Sequence, residues 1–381
     1  RIGLAIYPSS SRGGSMKTWR LLIKAALLFA LINFVLVAVS PGKGFSATIY
    51  NHLVPGRARL PFGENAAEAY NLSLFDIDAM FASHEISVPK ASDEFRVVVV
   101  GDSSVWGTLL RPEETLAGQL NTLELETADG LAMRFYNVGY PTISLTKDLL
   151  IFEEAIQYEP DLIVWMLTLE SFPADKQLDV PLVSHNPARV ERLATAYDLN
   201  LDLSSDALIR PDFLDTTLIG RRRAFADWYR LQVYGLMWGI TGVDQAYPES
   251  YKPAQIDFEN DDTFHNWAPP ILPVDQLALD ALGAGQQLAG ETPLIFINEP
   301  ILISDGENSD IRYNFFYPRW AYNQYRELLL EKSAENDWTY YDLWDIVPMG
   351  EFTNSAVHLT VDGEAILVEN VAEVIEYELN R

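Results

Sequence analysis

At 381 residues, 48% of them apolar, the chain can bury a sizeable core as one large domain or two ordinary ones. It contains no cysteine, which excludes a disulfide framework, a thiolate nucleophile and any zinc site built on Cys. Charge is unevenly spread: residues 1–59 carry eight basic side chains and no acid, which leaves 19 of the 27 basic groups against all 54 acidic ones. That formal −35 repels phosphate backbones and argues against a nucleic acid partner. The acids are scattered rather than grouped at ligand spacing, so they read as a solvated surface.

From Leu21 to Val39 the chain is almost entirely apolar, interrupted only by Lys24 and Asn33, and its length is near that needed to span a bilayer. Met16-Lys17-Thr18-Trp19-Arg20 resembles a translation start with a basic n-region, which makes residues 1–15 a candidate upstream extension. A cleaved signal peptide is the rival reading, because Ala38-Val39-Ser40 has small residues at the right places. Pro41 would then stand first in the mature chain, where proline usually blocks cleavage. The expectation is an uncleaved anchor at 21–39 held by membrane lipid, with residues 1–20 cytoplasmic and the C-terminal part exported. A modest excess of basic residues before the apolar run sets that orientation, although Lys43, Arg57 and Arg59 reduce it.

Residues 40–92 are rich in Pro, Gly, Ser and Ala without a sustained period and read as a stalk or irregular wrap. The domain proper is expected at 93–381. Arg96–Val100 has the β-branched pattern of a strand buried on both faces of a parallel sheet. A helix is expected over 113–125, then a strand at 134–138, a helix at 147–158 and a strand at 162–167. After a gap come a strand at 294–298, a helix at 320–336, a strand at 339–343 and a helix at 363–379. This alternation predicts a three-layer α/β fold with a mostly parallel five-stranded sheet and a site beyond the carboxyl ends of its strands. Residues 172–290 form an insertion, largely helical, in which Arg221-Arg222-Arg223 precedes the aromatic-rich Phe225–Trp238. A lid, a partner surface, a helix resting on a membrane and an ordinary subdomain all fit that stretch.

Gly101-Asp102-Ser103-Ser104 directly follows the first strand, which places Ser103 on a tight strand-to-helix turn. A serine hydroxyl needs a base to take its proton, and His358, in the loop after the fifth strand, lies on the same sheet edge. Either residue alone has an ordinary structural explanation. Together, in these elements, they form a candidate nucleophile and base.

Three blocks now carry a resemblance: the strand ending in GDSS, Asn137-Val138-Gly139-Tyr140-Pro141 after the second strand, and Val357-His358-Leu359-Thr360 near the C-terminus. Over about residues 94–378 the chain resembles the SGNH/GDSL hydrolase superfamily, which implies a flavodoxin-like SGNH fold. The resemblance gives Ser103 the nucleophile's role and a backbone N–H for the oxyanion, and Gly139 a second N–H. Two positions depart from the family pattern. Glu170, within Thr168-Leu169-Glu170-Ser171, stands where the family has an oxyanion-hole asparagine, so its support of an oxyanion requires a protonated carboxyl. Ser355 stands where the family has the aspartate that orients the histidine, with Asn354 beside it as an alternative orienting group and Asp342 and Asp345 as more distant ones.

Asp102, Ser104, Asn298 and Glu299 are further candidates for substrate contact at the sheet edge. The aromatic set from Tyr313 to Tyr325 fits helix packing better than a sugar groove. No pair among His52, His84, His185 and His265 has metalloenzyme spacing, and neither a catalytic metal nor a cofactor is expected. The leading expectation is a membrane-anchored, extracytoplasmic serine esterase or O-acyltransferase acting on acyl esters of an envelope glycan or lipid. Anchored members of the superfamily resemble partners of membrane-bound O-acyltransferases, which makes such an enzyme a candidate partner. The alternative is a catalytically impaired SGNH-like domain serving as an anchored subunit of a membrane complex.

Overall fold

Valine runs and short apolar strands dominate the centre of the molecule, and their alternation fixes its layers. The computed structural model describes residues 13–39, 47–63 and 70–381. Strands β1 (Glu94–Val100), β2 (Ala132–Asn137), β3 (Leu162–Leu167), β4 (Leu294–Asn298) and β5 (Thr339–Asp342) form one sheet of order β2-β1-β3-β4-β5. All four pairings are parallel, with Val100 opposite Trp165, Leu167 opposite Asn298, and Asn298 opposite Asp342. This is the flavodoxin-like order, in which ligands sit where the winding reverses, outside the carboxyl ends of β1 and β3.

Side chains alternate faces as the pleat requires. Val98, Val100, Trp165 and Phe296 enter one core, while Val97, Val99, Val164 and Ile295 enter the other. The elements between the strands are, in chain order, α1 (Gly13–Val39), α2 (Ile77–Ser83), α3 (Ser103–Trp106), α4 (Leu116–Thr122), α5 (Leu145–Ala155), α6 (Pro181–Ser184), α7 (Pro187–Tyr197), α8 (Arg222–Thr241), α9 (Asp280–Ala289), α10 (Arg319–Asn336) and α11 (Val361–Leu379). Helices α5, α9 and α10 bury Leu149, Leu282 and Tyr325 in the first core; α4 and α11 bury Leu120 and Val371 in the second. The result is the three-layer α/β fold expected from the alternation. The helix expected over 113–125 is split: Pro112–Glu114 forms a 3-10 turn and Thr115 then caps α4 by accepting the Gly118 N–H at 3.2 Å.

The chain divides into two units. The first comprises Arg1–Lys43 and Pro211–Asp227, the second Gly44–Arg210 and Trp228–Arg381. In the first, Thr18–Val35 within α1 is long and apolar enough to cross a membrane, and none of it is buried. Its one amide side chain is satisfied, since Asn33 Nδ2 donates to Phe29 O at 2.8 Å and Oδ1 accepts the Leu218 N–H at 2.9 Å. Residues 1–12 and the Ser40-Pro41 junction lie outside the described residues.

The second unit starts well before Asp93, which revises the expected domain start. Tyr50, Arg57, Arg59, Leu60 and His84 are each at most 2% exposed. Residues 47–63 and 70–92 therefore wrap onto the core. Arg57 and Arg59 are therefore interior groups of the second unit.

Candidate active site

The turn after β1 is built by close packing. A Cβ on Gly101 would lie 2.4 Å from Val105 Cγ2, and one on Gly139 would lie 2.6 Å from the Trp106 nitrogen, so both loops approach α3 as only glycine permits. Asp102 caps α3 by accepting the Ser104 N–H at 2.8 Å. Ser103 takes the first helical position, where a backbone N–H has no partner within the helix.

Ser103 and His358 meet across 255 residues of sequence, with Oγ to Nε2 at 2.8 Å. On the far side of the ring, His358 Nδ1 lies 2.8 Å from Asn354 Oδ1. An amide oxygen only accepts, so this contact places the proton on Nδ1 and leaves the Nε2 lone pair facing the Ser103 hydroxyl. Of the two neighbouring residues considered first for orientation, Asn354 and not Ser355 contacts the ring. Asp342 is engaged elsewhere, accepting from Asn298 Nδ2 and Arg326 Nε at 2.8 Å each. Burial pushes the His358 pKa below that of an ordinary histidine, while the Asp102 charge pulls it back up.

Below this surface lies a polar floor that the sequence did not announce. Lys147 is fully buried at the start of α5 and donates to Gly101 O at 2.8 Å and Tyr140 O at 3.1 Å, tying the two loops together. Asp148 pairs with it at 2.5 Å and accepts from Trp165 Nε1 at 3.2 Å. Burial raises the Asp148 pKa, opposed by Lys147. From the wrap, Arg59 donates to Trp106 O and Gly107 O at 2.9 Å each, capping the carboxyl end of α3, and its charge is matched by Asp244 at 2.7 Å. His84 accepts the Ile86 N–H on Nδ1, so its Nε2–H donates to Asn137 O at 3.0 Å, and burial lowers its pKa to about 4. Lone basic residues in loops or at helix starts have no spacing signature, which is why these roles escaped the pattern.

The candidate substrate contacts are largely committed to the protein. Asn298 is fully buried, with Oδ1 3.3 Å from Tyr322 Oη and 3.2 Å from Tyr325 Oη. Glu299 accepts a short hydrogen bond from the Ser104 hydroxyl, and burial first, then the Asp102 charge, raises its pKa well above the carboxylate range. A small cavity lies between Ser104, Glu299, Met166, Val357 and Glu364. Tyr317, Tyr322 and Tyr325 are wholly buried, so this part of the aromatic set is core.

The second and third blocks differ from what the resemblance implies. The Gly139 N–H donates to Asn137 Oδ1 at 3.1 Å, and Asn137 Nδ2 donates in turn to Val105 O at 2.6 Å. Gly139 therefore acts here as a close-packing element. Glu170 is buried and paired with Lys176, and both its oxygens lie 3.2 Å from His265 Nε2. Its own N–H donates to Tyr317 Oη at 3.2 Å. A carboxylate beside an ammonium is an acceptor, not the neutral donor that an oxyanion would require.

No family model matches the chain, and no curated protein does. Solved structures similar to it include a member of the lipolytic G-D-S-L family from Veillonella parvula, at 12% identity over 73% of this chain and 97% of that one, with a TM-score of 0.33. A catalytic mutant of the acetylxylan esterase Axe2 from Geobacillus stearothermophilus matches at 12% over 74% and 95%, TM-score 0.36. A carbohydrate acetylesterase family member from Sinorhizobium meliloti matches at 12% over 75% and 99%, TM-score 0.32.

Proposed function

We propose that the protein is a membrane-anchored, extracytoplasmic serine esterase or O-acyltransferase of the SGNH type, acting on acyl esters of a cell-envelope glycan or lipid. The observation that carries this reading is the continuous relay from Ser103 Oγ through His358 to Asn354, with both contacts at 2.8 Å. In the first step Ser103 Oγ attacks the acyl carbon while its proton passes to His358 Nε2. Asn354 holds the ring in the competent tautomer, and the Asp102 charge favours the imidazolium that forms. The Ser103 N–H, which has no partner within α3, is the donor this reading assigns to the developing oxyanion. Collapse of the tetrahedral intermediate expels the alcohol, which takes the proton from His358 and leaves an acyl-serine. Water or an acceptor hydroxyl then releases the acyl group by the reverse sequence.

A second reading, an accessory subunit with impaired catalysis, is favoured by the third block alone, where the carboxylate of Glu170 occupies the family's donor position. The two are separated by treating the full chain in detergent with a fluorophosphonate probe and p-nitrophenyl acetate. Labelling and turnover that vanish in Ser103→Ala support the enzyme. Absence of any Ser103-dependent signal, with a stable complex recovered from membranes, supports the subunit.

A further inference from the structure

Residues 228–241 of helix α8, which belong to the second unit, have one buried side and one exposed side. Leu231, Gln232 and Gly235 are buried. Gln232 Oε1 accepts from Thr48 Oγ1 at 3.1 Å and from the Ile49 N–H at 2.8 Å, and Tyr50 Oη donates to Leu231 O at 2.8 Å. Gly235 admits the Tyr50 ring, which a Cβ would meet at 2.2 Å. On the opposite side Tyr229, Val233, Leu236, Met237 and Ile240 recur at helical spacing, and all are exposed, Tyr229 at 64% and Ile240 at 80%. Five large apolar groups in one stripe form a patch of the kind that marks an interaction surface.

Charge and tethering identify the occupant. Residues 221–241 hold Arg221, Arg222, Arg223 and Arg230 against the single acid Asp227, in a chain whose net charge is −27. A basic helix with an apolar face matches the bilayer interface, where arginines meet anionic headgroups and the stripe enters the acyl boundary. The contacts at Thr48 and Ile49 lie nine and ten residues after α1 ends at Val39, a length of chain that reaches at most about 35 Å. Within the first unit, the segment leading into α8 exposes Phe213, Leu214 and Ile219 and is hydrogen-bonded to α1 itself through Leu218 and Asn33.

We infer that the stripe Tyr229, Val233, Leu236, Met237 and Ile240 of α8 lies in the interface of the same bilayer that α1 crosses, as a second contact with lipid. This rests on the anchored reading of α1. It makes α8 an interfacial helix, one of the roles the sequence left open for the insertion.

The absence of cysteine makes the test direct. Single cysteines are introduced in the full chain by Leu236→Cys and Ile240→Cys in the stripe, by Leu28→Cys in α1, and by Leu330→Cys on α10, where Leu330 is 65% exposed. Each is labelled with an environment-sensitive fluorophore and reconstituted into vesicles of phosphatidylcholine and phosphatidylglycerol. Quenching by nitroxide-bearing lipid at positions 28, 236 and 240 but not 330 is the expected result. Quenching at 28 with aqueous iodide reaching 236 and 240 overturns the inference and leaves the anchor standing. Protection of 236 and 240 from both quenchers also overturns it, in favour of a protein partner on the stripe. Iodide access at 28 overturns the anchored reading itself.

Discussion

The loops after β1 and β3 leave the same edge of the sheet, yet they are used in opposite ways. After β1, Asp102 caps α3, Ser103 meets His358, and buried Lys147 and Arg59 hold the turn from beneath and behind. After β3, Glu170 turns to Lys176 and to His265 of the insertion, and Thr168 bonds Tyr317 Oη at 2.6 Å. One loop presents chemistry and the other fastens the insertion to the sheet. A fold can therefore bring a candidate nucleophile to a candidate base at one loop while the neighbouring loop becomes a structural joint.

The sharpest way to break this comparison is Ser103→Ala, which is expected to cost about 1000-fold or more in kcat on p-nitrophenyl acetate with little change in thermal stability. Equal turnover in the variant would remove the β1 loop from catalysis. A large effect is also expected from Glu364, whose burial raises its pKa to about 8. The folded state holds this proton between the ordinary carboxylate range and pH 8 while the unfolded state releases it. Its contribution to stability is therefore full below about pH 4.5 and is lost progressively as pH rises to about 8. Glu364→Gln is expected to flatten that slope in denaturant titrations run across this window.

The joint after β3 is tested by Glu170→Asn, which restores the side chain the family resemblance implies. Lys176 and His265 lose their partner, and because Lys176 is partly exposed the expected cost is about 2 kcal/mol of unfolding free energy, well below that of a fully buried pair. A gain in turnover of about 100-fold in this variant would instead identify the loop as a dormant oxyanion hole. The smallest effect is expected from Asn354→Asp. A carboxylate at Nδ1 favours the imidazolium, so the acidic limb of the kcat/KM profile moves to higher pH, by about one unit or less at this exposed position. Asp102→Asn moves it the other way, because the charge that raises the His358 pKa is gone.

Much of the architecture was legible because it is local. Val97 to Val100 can be read as a doubly buried strand from side chains alone, and the later helices and strands follow from periodicity and caps within one or two residues. The candidate nucleophile and base were legible for the same reason: each sits at a strand end in a loop whose place the alternation fixes. Side-chain partners were not, because neighbouring positions in a loop project in directions that only its backbone path decides. Asn354 rather than Ser355 reaches His358 for that reason.

What the sequence by itself determined is the five-stranded parallel α/β frame, the apolar helix α1 and the pairing of Ser103 with His358 on one sheet edge. These depend on the period of hydrophobic residues and on the rule that parallel strands end together. Only the tertiary structure decided that Glu170 is ion-paired to Lys176 and His265, that Lys147 and Arg59 brace the turn that carries Ser103, and that α8 leaves an apolar stripe exposed. Glu170 with His265, Lys147 with Gly101 and Arg59 with Trp106 are far apart in the chain, and the burial that makes a lone charge seek its partner exists only once the core has closed.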